Sequence, residues 1–194
     1  EISTNYNLLD NEGNTVVTNF KRKIIFEDIR NNIWVGTADE GLFKYVNGKD
    51  CFVKHSNLKE RGYVVINTIS EYYDEENHFL LIGSNKPGIV LIDSKTKSTI
   101  EFDDIYKLEP KIKNDLVSKL FLDREKNLWV HLKHRGGIFK VSICNSSSEY
   151  YPLNNDKHVI INNCYEDSLN NIWFCTSEGV FKLTKGSNLI SQFT

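Results

Sequence analysis

Six charged residues, all in short segments between predicted strands, are the best candidates for ligand binding: Lys86, Lys133, His134, Arg135, Asp39 and Glu40. Lys133, His134 and Arg135 are consecutive in the chain. Arginine presents a planar pair of donors to a carboxylate or sulfate and lysine presents a point charge, so the basic residues could together bind an acidic sugar. The alternative is a set of solvated loops in which these cations pair with the acidic residues of neighbouring loops.

No residue pattern in the sequence indicates catalysis or metal binding. The five histidines are scattered, and only His131 and His134 lie close together. The four cysteines, Cys51, Cys144, Cys164 and Cys175, lack the CxxC spacing of zinc and redox sites. Cys164 and Cys175 flank a predicted hairpin turn, where a disulfide is one interpretation and free buried thiols are the other. We therefore predict no catalytic residue, no metal site and no cofactor.

All three tryptophans belong to a motif that repeats along the chain. An aspartate precedes each of them by six residues, in the pairs Asp28/Trp34, Asp123/Trp129 and Asp167/Trp173. A fourth copy, residues 72–92, has Asp74 before its turn and Leu81 in the place of the tryptophan. The Trp or Leu positions are 47, 48 and 44 residues apart, a period typical of a small antiparallel sheet.

The repeated positions predict structure rather than chemistry. A large apolar residue at one place in every copy is typical of core packing, and a sugar-stacking platform would not need to recur in this way. Trp34, Leu81, Trp129 and Trp173 are therefore predicted to form the core of the repeat. The aspartates are predicted to hydrogen-bond the backbone of a tight hairpin turn, as Asp and Asn commonly do.

Each copy is predicted to fold into four short strands. The first strands are expected at 23–27, 65–72, 117–122 and 160–166, and polar fourth strands at 51–55, 98–102, 149–151 and 189–193. Apolar residues alternate or form short runs bounded by Gly, Asn and Asp, and no helical period is evident. The units span about 20–56, 63–103, 115–152 and 159–194.

Four-stranded sheets repeating about every 45 residues indicate an all-β chain of β-propeller blades. Residues 2–8 are predicted to form an additional outer strand, so that 1–19 would be the outer strand and loop of a preceding blade. Five outer strands for four units favour a segment of a larger propeller over a closed four-blade ring. The first and last blades would then expose apolar faces, which predicts self-association or a dimer.

The composition excludes several functional classes. The 194 residues carry 24 Lys and Arg against 26 Asp and Glu, a net charge of −2, so nucleic acid is not an expected partner. No apolar run approaches the ~18 residues of a membrane span, and the first residues do not form a signal peptide. The absence of methionine favours a piece of a longer protein.

The motif resembles the two-component regulator propeller repeat. Residues 28–37, DIRNNIWVGT, with the following Gly41-Leu42-Phe43, are similar to a near-complete copy. Two copies depart from the pattern, because residues 131–134 replace its Gly-Thr and Leu81 replaces its tryptophan. These departures are expected to leave the fold intact and to affect any ligand chemistry that the family shares.

This resemblance implies the periplasmic sensor region of a membrane-bound hybrid two-component system of the Bacteroides type. Such sensors respond to polysaccharide breakdown products and switch on the genes for their use. The implied partners are an oligosaccharide and the remaining blades and kinase of the same parent protein. The segment itself is expected not to be an enzyme. The alternatives are a propeller lyase or other glycan-active enzyme, and a propeller that docks proteins without a small ligand.

Overall fold

The strands of this chain form four separate sheets, one for each predicted repeat. A computed structural model describes residues 6–18, 23–55, 58, 60–153, 159–187 and 189–193. The described residues up to 86, together with 90–100, form one compact unit, and residues 87–89 and those from 101 onward form a second. The fold is all-β and built from antiparallel four-stranded blades of the propeller type, as the repeat predicts.

The first unit contains blade 1 and most of blade 2. Blade 1 comprises β1 (Leu8–Leu9), β2 (Lys23–Glu27), β3 (Ile33–Thr37), β4 (Leu42–Val46) and β5 (Cys51–Lys54). A turn of 3-10 helix, Asn47–Lys49, joins β4 to β5. Blade 2 comprises β6 (Ile66–Tyr73), β7 (His78–Ser84), β8 (Ile89–Asp93) and β9 (Thr99–Glu101). In each blade the strands from β2 to β5 and from β6 to β9 are neighbours in chain order.

The second unit contains blades 3 and 4. Blade 3 comprises β10 (Val117–Leu122), β11 (Asn127–Leu132), β12 (Gly137–Ser142) and β13 (Ser147–Pro152). Blade 4 comprises β14 (Ile161–Glu166), β15 (Ile172–Thr176), β16 (Gly179–Leu183) and β17 (Ile190–Phe193). Two short helices, α1 (Phe102–Ile105) and α2 (Pro110–Lys113), precede blade 3. The sequence predicted neither helix, because four residues are too few to display a helical period.

The first described strand differs from its prediction. Residues 1–5, which include most of the expected additional outer strand, lie outside the described residues. Leu8 and Leu9 pair in parallel with Phe52 and Val53, so β1 extends the outer edge of blade 1 itself. The ring of Tyr6 meets that of Phe52 edge-on, with centroids 6.2 Å apart, and this contact holds the segment against β5.

The repeated Asp-Trp spacing produces the same hairpin clamp in blades 1, 3 and 4. In blade 1 the indole Nε1 of Trp34 donates to Oδ2 of Asp28 at 2.9 Å, and the backbone and side-chain amides of Asn32 donate to the same carboxylate. Asn31, within the turn, has a φ of 59°, a left-handed conformation that asparagine tolerates. One carboxylate therefore fixes both the turn and the tryptophan.

Hydrogen bonds of this clamp change the acidity of its carboxylates. Burial alone would raise the pKa of Asp28, but the hydrogen bonds from Trp34, Asn32 and the Arg30 backbone together lower that pKa below its ordinary value. The hydrogen bond from Trp173 lowers the pKa of Asp167, and bonds from Asn171 lower it further. Both carboxylates are therefore held in the charged form that accepts these bonds.

Blade 2 has the same architecture without the clamp. Its first hairpin is longer, with eight residues in β6 and seven in β7. Leu81 lies three residues before the end of β7, as Trp34 does in β3, and is fully buried. Asp74 bonds its own turn through Asn77 in an exposed hairpin. Leu81 thus takes the tryptophan's place in the core but cannot take its place in the clamp.

Neighbouring blades pack through one apolar face each. Within the first unit, Trp34 and Leu42 of blade 1 share a core with Ile66, Ile69 and Ile82 of blade 2. A Cβ atom added to Gly36 would lie 2.6 Å from Ile66, so only glycine permits this approach. Within the second unit, the shared core contains Trp129, Ile138 and Tyr151 of blade 3 together with Ile161, Cys164, Ile172, Phe174, Phe181 and Leu183 of blade 4.

A glutamate joins the blades of each unit at the hairpin end. Glu71 of blade 2 accepts the backbone N–H of Ile29 at 3.0 Å, and Glu166 of blade 4 accepts that of Arg124 at 2.8 Å. Each donor follows the clamp aspartate of the preceding blade by one residue. We call Glu71 and Glu166 the inter-blade glutamates. They tie one blade to the next through a main-chain amide.

An aromatic ring of the outer edge covers each tryptophan. The ring centroid of His55 lies 4.6 Å from that of Trp34, and Tyr151 and Phe193 contact Trp129 and Trp173 at 5.5 and 5.8 Å. Burial lowers the pKa of His55 to about 4, and the charges of Lys97 and Lys44 add to this effect. The imidazole is therefore neutral in the fold at pH values where the unfolded chain is already protonated.

Replacing His55 with phenylalanine is expected to remove an acid-sensitive part of the stability. The histidine pKa falls from 6.5 in the unfolded chain to about 4 in the fold, so stability is full above pH 6.5 and declines as the pH falls to 4. The free energy of unfolding falls by about 3 kcal/mol in total between pH 6.5 and pH 4, by linkage. Urea unfolding at pH 7.5 and 4.5 measures it. H55F should flatten this pH dependence, and an equally steep H55F profile would contradict the assignment.

Candidate functional site

Lys133, His134 and Arg135 lie in the connection between β11 and β12, and His134 and Arg135 share one counter-ion. His134 Nδ1 is 3.0 Å from Oδ1 of Asp115, and Arg135 Nε is 3.6 Å from Oδ2 of the same carboxylate. Lys133 is exposed, and its backbone N–H donates to the carbonyl of Leu116. Part of the positive charge of this loop is therefore already balanced by Asp115.

The remaining predicted residues lie in the first unit. Lys86 Nζ donates to the carbonyl of Arg61 at 2.5 Å and lies 4.5 Å above the ring of Tyr63. Glu40 Oε2 lies 3.7 Å from Nζ of Lys54, and its neighbour Asp39 is half-buried. Lys133, His134 and Arg135 thus form one group and Asp39 and Glu40 another, and Lys86 belongs to a different unit from the basic loop.

The four predicted core positions also differ in burial. Trp34 and Leu81 are fully buried, and Trp129 is 2% exposed. Trp173 is only half-buried, and it lies on the face of β15 opposite to Phe174, which packs against blade 3. Consecutive side chains of a strand point to opposite faces, so Trp173 lies away from that core.

A polar cleft of about 240 Å³ opens between blades 3 and 4. Blade 3 contributes its hairpin turn through Asp123 and Glu125, and its polar outer strand through Glu149. Blade 4 contributes Glu166 and the connection between β16 and β17, residues 184–187. Parts of Trp129 and Tyr151 also line it. The cleft therefore collects groups from two blades at the hairpin end of the sheets.

The carboxylates of this cleft are held in place by donors of the protein. Tyr151 donates its hydroxyl to Glu149 at 2.7 Å, while Lys185 Nζ lies 2.9 Å from Glu125. Burial raises the pKa of Tyr151, and its bond to Glu149 raises it further, so this hydroxyl keeps its proton. The hydrogen bond from Lys185 lowers the pKa of Glu125. A carboxylate has about four lone-pair sites, so a carboxylate bonded to one donor can accept further bonds from a ligand.

The cleft has an overall negative charge. It is lined by the four carboxylates of Asp123, Glu125, Glu149 and Glu166 and by two ammonium groups, Lys140 and Lys185, a balance of −2. Lys140 Nζ lies 5.7 Å from the centre of the Trp129 ring. Such a lining favours hydroxyl or amino donors over an anionic ligand.

Sequence reasoning missed this cleft. Its residues come from positions 123–187, and no short motif links the hairpin turn of one blade with a loop of the next. The one available signal for the cleft was charge. Glu149 and Lys185 are charged residues in segments that were predicted only as polar edge strands and loops. The loops that were predicted to bind a ligand connect the second and third strands of each blade. They therefore lie at the opposite end of the strands from the cleft.

The cysteines and histidines form no metal site among the described residues. All four cysteines are free thiols. Cys164 is buried and its register partner is Phe174, while Cys175 is exposed and pairs with Asn163, so the two sulfurs lie on opposite faces. Burial raises the pKa of Cys164 to about 12. Likewise, none of the helices in the described ranges is long and apolar enough to span a membrane.

No protein-family model and no curated protein matches the chain, but solved structures share its fold. The extracellular domain of the hybrid two component system BT4673 from B. thetaiotaomicron matches with a TM-score of 0.69 and 21% identity, over 98% of this chain and 25% of that one. The corresponding domain of BT3049 matches with a TM-score of 0.67 and 17% identity, over 96% and 23%. Virginiamycin B lyase from Staphylococcus aureus matches at 0.68 and 13%, over 96% and 61%.

These similarities agree with the resemblance predicted from the repeat. At these identities they establish the fold alone. The chain spans about a quarter of the length of the two extracellular domains it matches.

Proposed function

We propose that this chain is part of the ligand-recognition region of an extracytoplasmic sensor. The parent would be a hybrid two-component signalling protein that responds to polysaccharide breakdown products, with its sensor region in the periplasm. The fold shared with the extracellular domains of BT4673 and BT3049 supports this proposal. The observation that carries it is the polar cleft between blades 3 and 4, where a small hydrophilic ligand can contact both blades.

The ligand class follows from the lining of the cleft. Its volume of about 240 Å³ is somewhat below the ~300–1,000 Å³ of pockets for drug-sized molecules, so it suits a single sugar ring of an oligosaccharide. The carboxylates of Glu149 and Glu166 accept hydroxyl donors, and the negative balance disfavours acidic sugars. We therefore propose neutral or amino-bearing oligosaccharides as ligands.

Signalling requires more than binding. A ligand shifts an equilibrium only when it binds one arrangement better than another. A sugar bonded to Glu149 on blade 3 and to Lys185 on blade 4 would favour the arrangement in which these blades are closely packed. The remaining blades and the kinase of the parent would receive this change.

Titration calorimetry with neutral, amino-bearing and acidic oligosaccharides tests the proposal. E149Q keeps an acceptor for Tyr151 but removes a charge from the cleft, so it should weaken binding of a neutral or amino sugar by about tenfold, the value of one charged hydrogen bond. The control E75Q changes an exposed glutamate in the blade 2 hairpin and should bind normally. Both variants should unfold at the same denaturant concentration as the unmodified chain.

The same experiment separates the alternatives. If the basic loop binds an acidic sugar, K133A/R135A should abolish binding of the acidic set and leave the neutral set unchanged. If the chain is a lyase or other glycan-active enzyme, one of the oligosaccharides should be converted to product. Absence of binding by every class would overturn the proposal for this chain.

A further inference from the structure

A serine, a histidine and a glutamate form a continuous chain of hydrogen bonds in blade 2. His78 Nδ1 lies 2.9 Å from Oγ of Ser94, and His78 Nε2 lies 2.9 Å from Oε2 of Glu71. The side chain of His78 is fully buried, while Ser94 is half-buried. A hydroxyl bonded to a base, with the base oriented by a carboxylate, is the arrangement of a serine hydrolase site.

The strand register brings these three residues together. His78 begins β7 and pairs with Tyr73, so Glu71, two residues earlier in β6, lies diagonally across from it on the same face. Ser94 directly follows β8, and its backbone N–H donates to the carbonyl of His78 at 3.1 Å. The residues are 7 and 16 positions apart in the chain, so no short motif announces them.

The hydrogen bonds assign a role to each ring nitrogen of His78. An ionised carboxylate only accepts hydrogen bonds, so the bond to Glu71 places the ring proton on Nε2. In the neutral ring Nδ1 is then an acceptor, and it faces the hydroxyl of Ser94. Glu71 also accepts the backbone N–H of Ile29, which fixes the carboxylate in place. The base is therefore oriented toward the proton that it would remove.

The bond between blades does not account for the histidine. Glu166 makes the same bond to a main-chain amide of the preceding blade. Counted from the core Trp or Leu of each blade, blade 4 has Asn170 where blade 2 has His78. The histidine and its serine are therefore additional to the structural role that Glu71 shares with Glu166.

Ser94 lies at the hairpin end of its blade, at a position that lines the polar cleft in the second unit. It follows Gly88 by six residues, as the cleft residue Lys185 follows Gly179. The exposed guanidinium of Arg30, from the hairpin turn of blade 1, donates from Nη1 to Ser94 Oγ at 3.5 Å. A cation at this distance can stabilise negative charge that develops on an oxygen beside the serine.

We propose that this site hydrolyses esters of short carboxylic acids, with Ser94 as the nucleophile and His78 as the general base. Ser94 Oγ bonds to the acyl carbon while its proton passes to Nδ1 of His78, and Arg30 stabilises the oxyanion. Transfer of that proton to the ester oxygen releases the alcohol and leaves the acyl group on Ser94. Water then attacks the acyl carbon by the same route, which releases the carboxylic acid and returns the proton to Ser94.

The surroundings of Ser94 define the substrate class. One exposed guanidinium takes the place of the preorganised amides of an oxyanion hole. This favours esters over amides, because an alcohol is the better leaving group. A half-buried nucleophile in front of a fully buried base favours a short acyl group over a bulky one. This activity is additional to ligand recognition and does not depend on the cleft between blades 3 and 4.

Hydrolysis of p-nitrophenyl acetate by the whole chain, together with labelling by a fluorophosphonate, tests this proposal. The fluorophosphonate should modify Ser94, as identified by peptide mass spectrometry. S94A should abolish this label and lower the rate of hydrolysis by about a hundredfold or more. The control S98A changes an exposed serine of the following turn and should be labelled and active like the unmodified chain. Both variants should unfold at the same denaturant concentration.

E71Q separates a positioning role of Glu71 from a structural one. The amide oxygen of the glutamine can still accept the N–H of Ile29, but its NH₂ group donates to Nε2 and moves the ring proton to Nδ1. That tautomer cannot accept the proton of Ser94, so kcat should fall by about a hundredfold with KM and the unfolding midpoint unchanged. An unchanged kcat would leave Glu71 a purely structural residue and overturn its assigned role. Hydrolysis that survives S94A, or absence of the label at Ser94, would overturn the proposal as a whole.

Discussion

Replacing Trp129 with alanine is expected to lower the free energy of unfolding of the second unit by about 4 kcal/mol. The indole is 2% exposed and packs against Phe174, with ring centroids 5.8 Å apart, and against Tyr151. Its removal leaves a cavity between blades 3 and 4 and also removes the donor of the clamp bond to Asp123. Urea unfolding followed by circular dichroism measures the loss without relying on tryptophan fluorescence.

The repeat supplies a matched control for this prediction. Trp173 has the same position in its blade, the same clamp bond, here to Asp167 at 2.8 Å, and the same lysine neighbour. It is half-buried on the face of β15 that points away from blade 3, so W173A should cost about half as much or less. Equal losses for the two variants would mean that burial between blades does not determine the contribution of the tryptophan.

The second large effect is expected for Asp123→Ala. This carboxylate is 7% exposed and accepts bonds from the backbone and side chain of Asn127 and from Trp129 Nε1. The substitution leaves buried donors without an acceptor, each at a cost of about 1–3 kcal/mol, so we expect a total loss of about 3–5 kcal/mol. Asp123→Asn, which retains one carbonyl oxygen, should recover part of the loss. Chemical unfolding of both variants measures the difference.

Asp74→Ala is the control for the clamp. Asp74 accepts the backbone amides of Glu76 and Asn77 in an exposed turn, and its blade has Leu81 at the position of the clamp tryptophan. Water can replace the carboxylate there, so the loss should be about 1 kcal/mol. If Asp123→Ala were equally mild, the turn alone would determine the role of the aspartates, and the bond to the indole would contribute little.

Much of the fold follows from the sequence because blades are local structures. The strands β2 and β10 have the predicted bounds, since alternating apolar residues lead directly into an Asp-Asn turn in both cases. The period also located Leu81 correctly in the absence of a tryptophan. In each case the information lies within about twenty residues of chain.

The candidate site was less predictable because it depends on contacts between repeats. Glu149 and Lys185 lie 36 residues apart, and their common cleft arises only when blade 4 packs on blade 3. The pairing of β1 with β5 was missed for a related reason: a two-residue strand has no pattern of its own. The basic loop was identified as a charged segment, but the opposing Asp115 lies 18–20 residues earlier and escaped notice.

The inter-blade glutamates affect how such a chain can evolve. Glu71 and Glu166 recognise a peptide N–H, which every residue except proline possesses. The recognised positions hold Ile29 in one pair and Arg124 in the other, two side chains with nothing in common. This contact could therefore be kept when a neighbouring blade is exchanged, without a compensating substitution at the recognised position.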